Sequence, residues 1–107
     1  MKMSSNYKIS PPPRKAHLAD QRSAETFYRA YDQGRIKIGC WVRIDLDFHV
    51  QNGFAGIVVG YDDDYLVNIS DGSIVTHANP KFLTSLTPKQ GMEIALAQQD
   101  RAGSRSG

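Results

Sequence analysis

Cys40 is the only cysteine in the chain, which excludes an intramolecular disulfide. No Cys/His cluster with metal-ligand spacing accompanies it, so neither a zinc site nor any other metal or cofactor is expected. A reducing, cytoplasmic setting is the matching expectation. Apolar runs are short, and none approaches the roughly 20 residues that cross a bilayer; membrane association is not expected. The lysines near the N-terminus are not followed by a continuous apolar stretch, so a secretory signal is not expected either. What is present, 107 residues with 40% hydrophobic and 22% charged side chains, suits one small globular domain.

Charge is unevenly spread. Residues 1–38 carry eight Lys or Arg against Asp20, Glu25 and Asp32, a net +5. Residues 39–87 carry Arg43 and Lys81 against six aspartates, a net −4, and residues 88–107 carry three cations against Glu93 and Asp100, a net +1. A chain divided in this way can offer its two regions to different partners or to each other.

Residues 1–16 read as a flexible basic arm. Pro11, Pro12 and Pro13 favour an extended polyproline segment, and little around them could contribute to a core. Residues 17–35 hold an amphipathic helix, expected over 18–33. There Ala24, Phe27, Tyr28 and Tyr31 fall at i, i+3, i+4 and i+7 and share one face. Ser23 or Asp20 is the candidate N-cap, and Gly34 the left-handed residue past the end. The aromatic face is expected to pack on the rest of the domain.

Residues 36–87 read as all β. Val42, Ile44, Leu46 and Phe48 alternate with Trp41, Arg43, Asp45 and Asp47, the period of a half-buried strand over 41–48. Asn52-Gly53 marks a turn, followed by strands at 56–61 and 65–70. Asp71-Gly72 turns the chain into a fourth strand at 74–78. Asn79-Pro80 opens a single helical turn before a last short strand ending at Leu86. Thr87-Pro88-Lys89-Gln90 has the form of a capping box. It predicts a short C-terminal helix over 88–101 that buries Met92, Ala95 and Leu96, with a disordered tail at 102–107.

The stretches Gly39–Ile44, Asn52–Asp62 and Tyr65–Gly72 carry a resemblance to the KOW and Tudor-like branch of SH3-like small barrels. In those barrels a glycine opens the first strand, another lets the second bend, and an apolar-x-apolar pair ends at an Asp-Gly turn; Gly39, Gly56 and Gly72 hold these positions here. Small barrels coil tightly, and glycine tolerates the bulges and close backbone approach this needs. The likeness covers residues 38–87 and implies a mainly β fold, an SH3-like small barrel with an N-terminal amphipathic helix and a short C-terminal helix. The same order of segments is similar to the plasmid-borne type II dihydrofolate reductases, whose SH3-like barrels form tetramers around a pore. Their pore is lined by a Val-Gln-Ile-Tyr run after a Gly-Ser pair. Here Gly72-Ser73 is followed by Ile74-Val75-Thr76-His77, so the glutamine and the tyrosine are missing and the reductase is the least favoured reading.

The run Asp62-Asp63-Asp64 is accounted for by a turn, because aspartate bonds nearby backbone amides. A calcium loop would need a longer ligand spacing with a terminal glutamate. Asp45 and Asp47 share a strand face, but acid–base work needs a raised pKa in a buried pocket. His17, His49, His77 and Cys40 fit no catalytic pattern, so no catalytic residue is assigned and Cys40 reads as a small apolar residue. Trp41, Phe48, Tyr61 and Tyr65, flanked by Asp45, Asp47, Asp62 and Asp64, would make an acidic, aromatic pocket suited to a cation. In the competing reading the same rings cover the barrel end or receive the N-terminal helix.

The function expected is a non-enzymatic protein-interaction module, an adaptor or accessory protein. Its acidic barrel surface would bind a basic partner segment, the chain's own arm included. The alternative is nucleic-acid binding through Lys8, Arg14, Lys15 and Arg22, with Tyr7 for stacking. Against it, the barrel region holds only two cations, and residues 49–56 hold none.

Overall fold

The structure, a computed structural model, describes residues 7–106, with side chains as far as Gln99. The first six residues of the expected arm and the last residue of the expected tail lie outside the described residues. Helix α1 (Gln21–Asp32) follows a single 3-10 turn at Leu18–Asp20. Asp20 occupies the N-cap position without a capping side-chain bond. Past the last turn Gly34 takes a φ of 79°, the left-handed geometry that glycine adopts without steric cost. The stripe behaves as its spacing predicts: Ala24, Phe27 and Ala30 are buried, while Tyr28 and Tyr31 pack partly buried against the core.

Five short strands follow: β1 (Trp41–Ile44), β2 (Ala55–Tyr61), β3 (Val67–Ser70), β4 (Val75–Ala78) and β5 (Leu83–Leu86). They form one antiparallel sheet in the order β4-β3-β2-β1-β5, so the last strand returns to pair with the first. A 3-10 turn at Pro80–Phe82 joins β4 to β5, opened by the Asn79 side chain accepting from the Lys81 N–H at 3.0 Å. The inner face of the sheet meets α1 in a core that includes Phe27, Ile36, Ile44, Val58, Tyr61 and Ile69. Each such side chain contributes about 1.5–3 kcal/mol on burial.

Two strands are shorter than their patterns predict. The alternation of the first continues to Phe48, yet β1 stops at Ile44. Beyond it the Asn52 side chain accepts the Leu46 N–H at 2.8 Å, and Gly53 donates to the Ile44 carbonyl at 2.7 Å. Those bonds close a loop, which leaves Phe48 fully exposed with a φ of 63°. The third strand starts at Val67, because Tyr65 has a φ of 66° inside a turn closed by Asp62 and Leu66. A shift of register between Val58 and Gly60 adds a bulge to β2, which bends the strand.

The capping box forms as its sequence predicts. Gln90 N–H donates to Thr87 Oγ1 at 3.1 Å, and Thr87 N–H donates to Gln90 Oε1 at 3.0 Å. Helix α2 (Pro88–Ser106) runs past the expected end at 101, so residues 102–106 are helical where a tail was expected. Its buried face also differs from the expected one. Ala95 is buried as expected, but Met92 and Leu96 are 53% and 60% exposed, and Gly91 is buried in their stead. Gln98 Oε1 accepts the Ala55 N–H at 2.6 Å and its Nε2 donates to the Ala55 carbonyl at 3.1 Å, a side-chain copy of strand pairing. Among the described residues no helix is long and apolar enough to cross a membrane.

Gly91 is the pivot of this docking, since an added Cβ would come within 2.7 Å of Trp41 Cγ. Alanine is the better helix former by about 1 kcal/mol, but overpacking costs about 1–3 kcal/mol. Gly91→Ala is therefore expected to destabilise the protein by about 1 kcal/mol and to shift the emission of the single tryptophan, both read in one urea titration. A gain in stability would show that the indole swings freely out of the way.

Candidate functional site

The acidic hairpin between β2 and β3 divides its three aspartates by role. Asp62 is tied into the turn: its Oδ1 accepts from Asn68 Nδ2 at 2.9 Å and its N–H donates to the Leu66 carbonyl at 3.0 Å. Asp63 and Asp64 are exposed, and Asp63 receives the Lys8 ammonium at 3.1 Å. Asp45 lies away from this hairpin beside β5, where it accepts from Arg43 Nε at 2.9 Å and from the Thr84 hydroxyl. These bonds, the Arg43 one first, hold its carboxyl below the usual carboxylate range. Asp47 is exposed in the loop after β1.

The four aromatic residues expected to share a pocket are placed in three different environments. Trp41 lies under α2, and Phe48 points into solvent. Tyr61 and Tyr65 are only 1% and 5% exposed, with rings 5.4 and 5.9 Å from Phe27 in edge-on geometry. These two receive the N-terminal helix, as the competing reading had it. A buried tyrosine ring is stable where its hydroxyl finds a partner. Tyr61 Oη donates to the Ile36 carbonyl at 2.8 Å, and burial pushes its phenol up to about 12. Tyr65 Oη donates to the Pro13 carbonyl at 2.7 Å.

That last bond belongs to a feature composition did not predict. From Tyr7 onward the arm, expected to be flexible, lies on the domain. Lys8 and Tyr61 exchange both backbone hydrogen bonds, at 2.8 and 2.7 Å, as an antiparallel bridge. Pro12 is buried, and the Tyr28 hydroxyl donates to its carbonyl. Arg14 forms a two-pronged pair with Asp32 at 2.8 and 3.1 Å, its guanidinium 4.2 Å from the Tyr28 ring centre. The pairing lowers the Asp32 pKa and raises that of Arg14. Lys15 and Arg22 are exposed. Gly60, missed in reading the sequence, is the one residue that could have signalled this seat. A Cβ there would run into the Tyr7 ring and stand 2.8 Å from the Lys8 carbonyl oxygen.

Among the described residues no three His, Cys, Asp or Glu side chains are placed to hold a metal ion. His17, His49 and His77 are all exposed. Cys40 is half-buried beside the core, and its thiol donates to the Gly34 carbonyl at 3.4 Å. No protein-family model, no curated protein and no solved structure matches the chain.

Proposed function

We propose that this protein is a non-enzymatic interaction module, an SH3-like small barrel whose acidic, tyrosine-bearing surface binds a basic segment of a partner protein. The return of β5 to β1 and the helical turn between β4 and β5 fit such a barrel. The observation that carries the function is the Lys8–Asp63 pair: a basic segment of this chain already lies on the acidic hairpin. Asp64 is exposed beside it for a second cation. The nucleic-acid alternative has less to draw on, because Lys8 and Arg14 are engaged by Asp63 and Asp32.

Fluorescence anisotropy with a labelled alternating Lys-Ser peptide tests this reading. Asp63→Lys with Asp64→Lys is expected to weaken binding about tenfold, since several exposed charge pairs at about 0.2–1 kcal/mol each are removed or reversed. Circular dichroism should be unchanged, and salt should weaken the wild-type complex. Equal binding by the variant would overturn the proposal. Tighter binding of a single-stranded oligonucleotide, lost in Lys15→Glu with Arg22→Glu, would establish the alternative instead.

A further inference from the structure

The seat of the arm has the construction of a peptide-binding groove. Beyond Val58, which bonds the Cys40 carbonyl and accepts from Gly39, the chain before β1 turns away from β2. The backbone groups of Tyr61 on that side need a partner, since an unpaired buried amide or carbonyl is costly. Lys8 supplies both bonds, adding one residue of strand to the open flank. Glycine at position 60 leaves room for that approach. Its φ lies outside the left-handed region, so the glycine is needed for space and not for conformation.

Further along, the chemistry changes to suit proline. A proline has no N–H to satisfy, so Pro12 is buried without orphaning a donor. Its carbonyl and that of Pro13 remain as acceptors, and two tyrosine hydroxyls from different elements, Tyr28 on α1 and Tyr65 on the hairpin, donate to them. A cation closes each end, Lys8 on Asp63 and Arg14 on Asp32 with the guanidinium over Tyr28. Strand addition, proline carbonyl capture and two charge clamps make a continuous recognition path. Two surface depressions of about 470 and 430 Å³ flank it, one beside Gln21 and Glu25, the other beside His17 and Asp20.

We infer that this seat is a binding groove for a proline-rich segment with a cation at each end, held in cis by the chain's own residues 7–16 and entered in trans by the matching segment of a partner. The inference rests on the interaction-module reading and names its partner. A preformed polyproline segment loses little entropy on docking. The tethered arm competes at an effective concentration on the order of millimolar, so the cis contact acts as a threshold that only a better or more concentrated segment crosses.

The test uses the full chain and two synthetic peptides, one copying residues 6–16 and one with its three prolines replaced by alanine. In Lys8→Glu with Arg14→Glu the arm is repelled by Asp63 and Asp32 while the groove stays intact. This variant is expected to bind the proline peptide at least about tenfold more tightly than the wild type, whose groove is occupied. Adding Tyr65→Phe, which removes one carbonyl donor, should weaken that binding about three- to tenfold. An NMR titration of the unaltered chain does not depend on the variants folding. Excess proline peptide should shift the amides of Lys8 and Tyr61 together as their bridge is replaced. Equal binding of both peptides would overturn the proline specificity and leave the basic-segment reading standing. Binding of neither would overturn both, and so would shifts confined to residues outside the groove overturn the placement. A chain that exchanges arms into a dimer at the same concentrations would replace the foreign partner with a second copy and overturn the inference as stated.

Discussion

Phe27→Ala is expected to cost the domain about 3–5 kcal/mol, the range for deleting a buried phenylalanine ring. Phe27 is fully buried, and four tyrosines surround it. Tyr28, Tyr61 and Tyr65 stand edge-on at 5.0, 5.4 and 5.9 Å, and Tyr31 is stacked at 5.9 Å. Such aromatic pairs are worth about 0.5–1.5 kcal/mol each beyond area burial, so the loss belongs near the top of the range. Small domains total about 5–15 kcal/mol, and a large part of the folded population is therefore at stake. Urea unfolding should show the midpoint falling by about 2–5 M, given slopes of about 1–3 kcal/mol/M. Tyr28 and Tyr65 lose their shared neighbour as well, so the arm should loosen under conditions in which the sheet is still folded. A loss below about 1 kcal/mol would mean that the tyrosines collapse into the space and that α1 is held elsewhere.

The elements with local causes were legible in the sequence. Thr87-Pro88-Lys89-Gln90 specifies its helix start within four residues, and both bonds of the box are present. Asp71-Gly72 specifies its turn in the same way, with Asp71 Oδ1 accepting from Ser73 and Ile74 and Gly72 at a φ of 98°. The helical stripe was legible because a period of 3.6 fixes which side chains share a face.

What the sequence did not reveal depends on contacts between distant residues. Met92 and Leu96 are apolar residues of the second helix expected to face inward, but the buried face is set by Gly91 against Trp41, fifty positions earlier in the chain. Alternation predicted a strand through Phe48, whereas one side-chain bond from Asn52 turns the backbone at Leu46. The arm is the clearest case. Its composition lacks the apolar residues of a core segment, which is the signature of disorder. Its anchors, however, are carbonyls and charges whose partners lie far along the chain, Tyr65 for Pro13 and Asp63 for Lys8. The candidate site divided along the same line. The charge complementarity of arm and hairpin was visible in the sequence, while the tyrosines that read the proline carbonyls could be identified only from the fold.

Between pH 10 and 12 the wild-type protein is expected to lose about 2–3 kcal/mol more stability than Tyr61→Phe. The Tyr61 phenol is pushed up to about 12, first by burial, against about 10 in an unfolded chain. A raised folded-state pKa means that its contribution is complete below the unfolded value and is lost as pH rises through the folded one. Each unit of difference is worth about 1.4 kcal/mol. The informative quantity is the difference between the two proteins measured by urea unfolding at each pH, because it isolates the one hydroxyl that the substitution removes. Tyr61→Phe keeps the ring and forfeits the bond to the Ile36 carbonyl, so it should start about 1 kcal/mol less stable at neutral pH and lose less on the alkaline side. Parallel curves would mean that the hydroxyl reaches water in the folded state. The residue also couples this titration to the groove, because the backbone of Tyr61 holds Lys8 while its side chain holds Ile36. Ionising the phenol within the folded state draws the ring toward water and with it the Lys8 bridge, so the Lys8 amide should keep its hydrogen-exchange protection near pH 10, where the two stability curves begin to diverge, and lose it only near pH 12, where their divergence is complete.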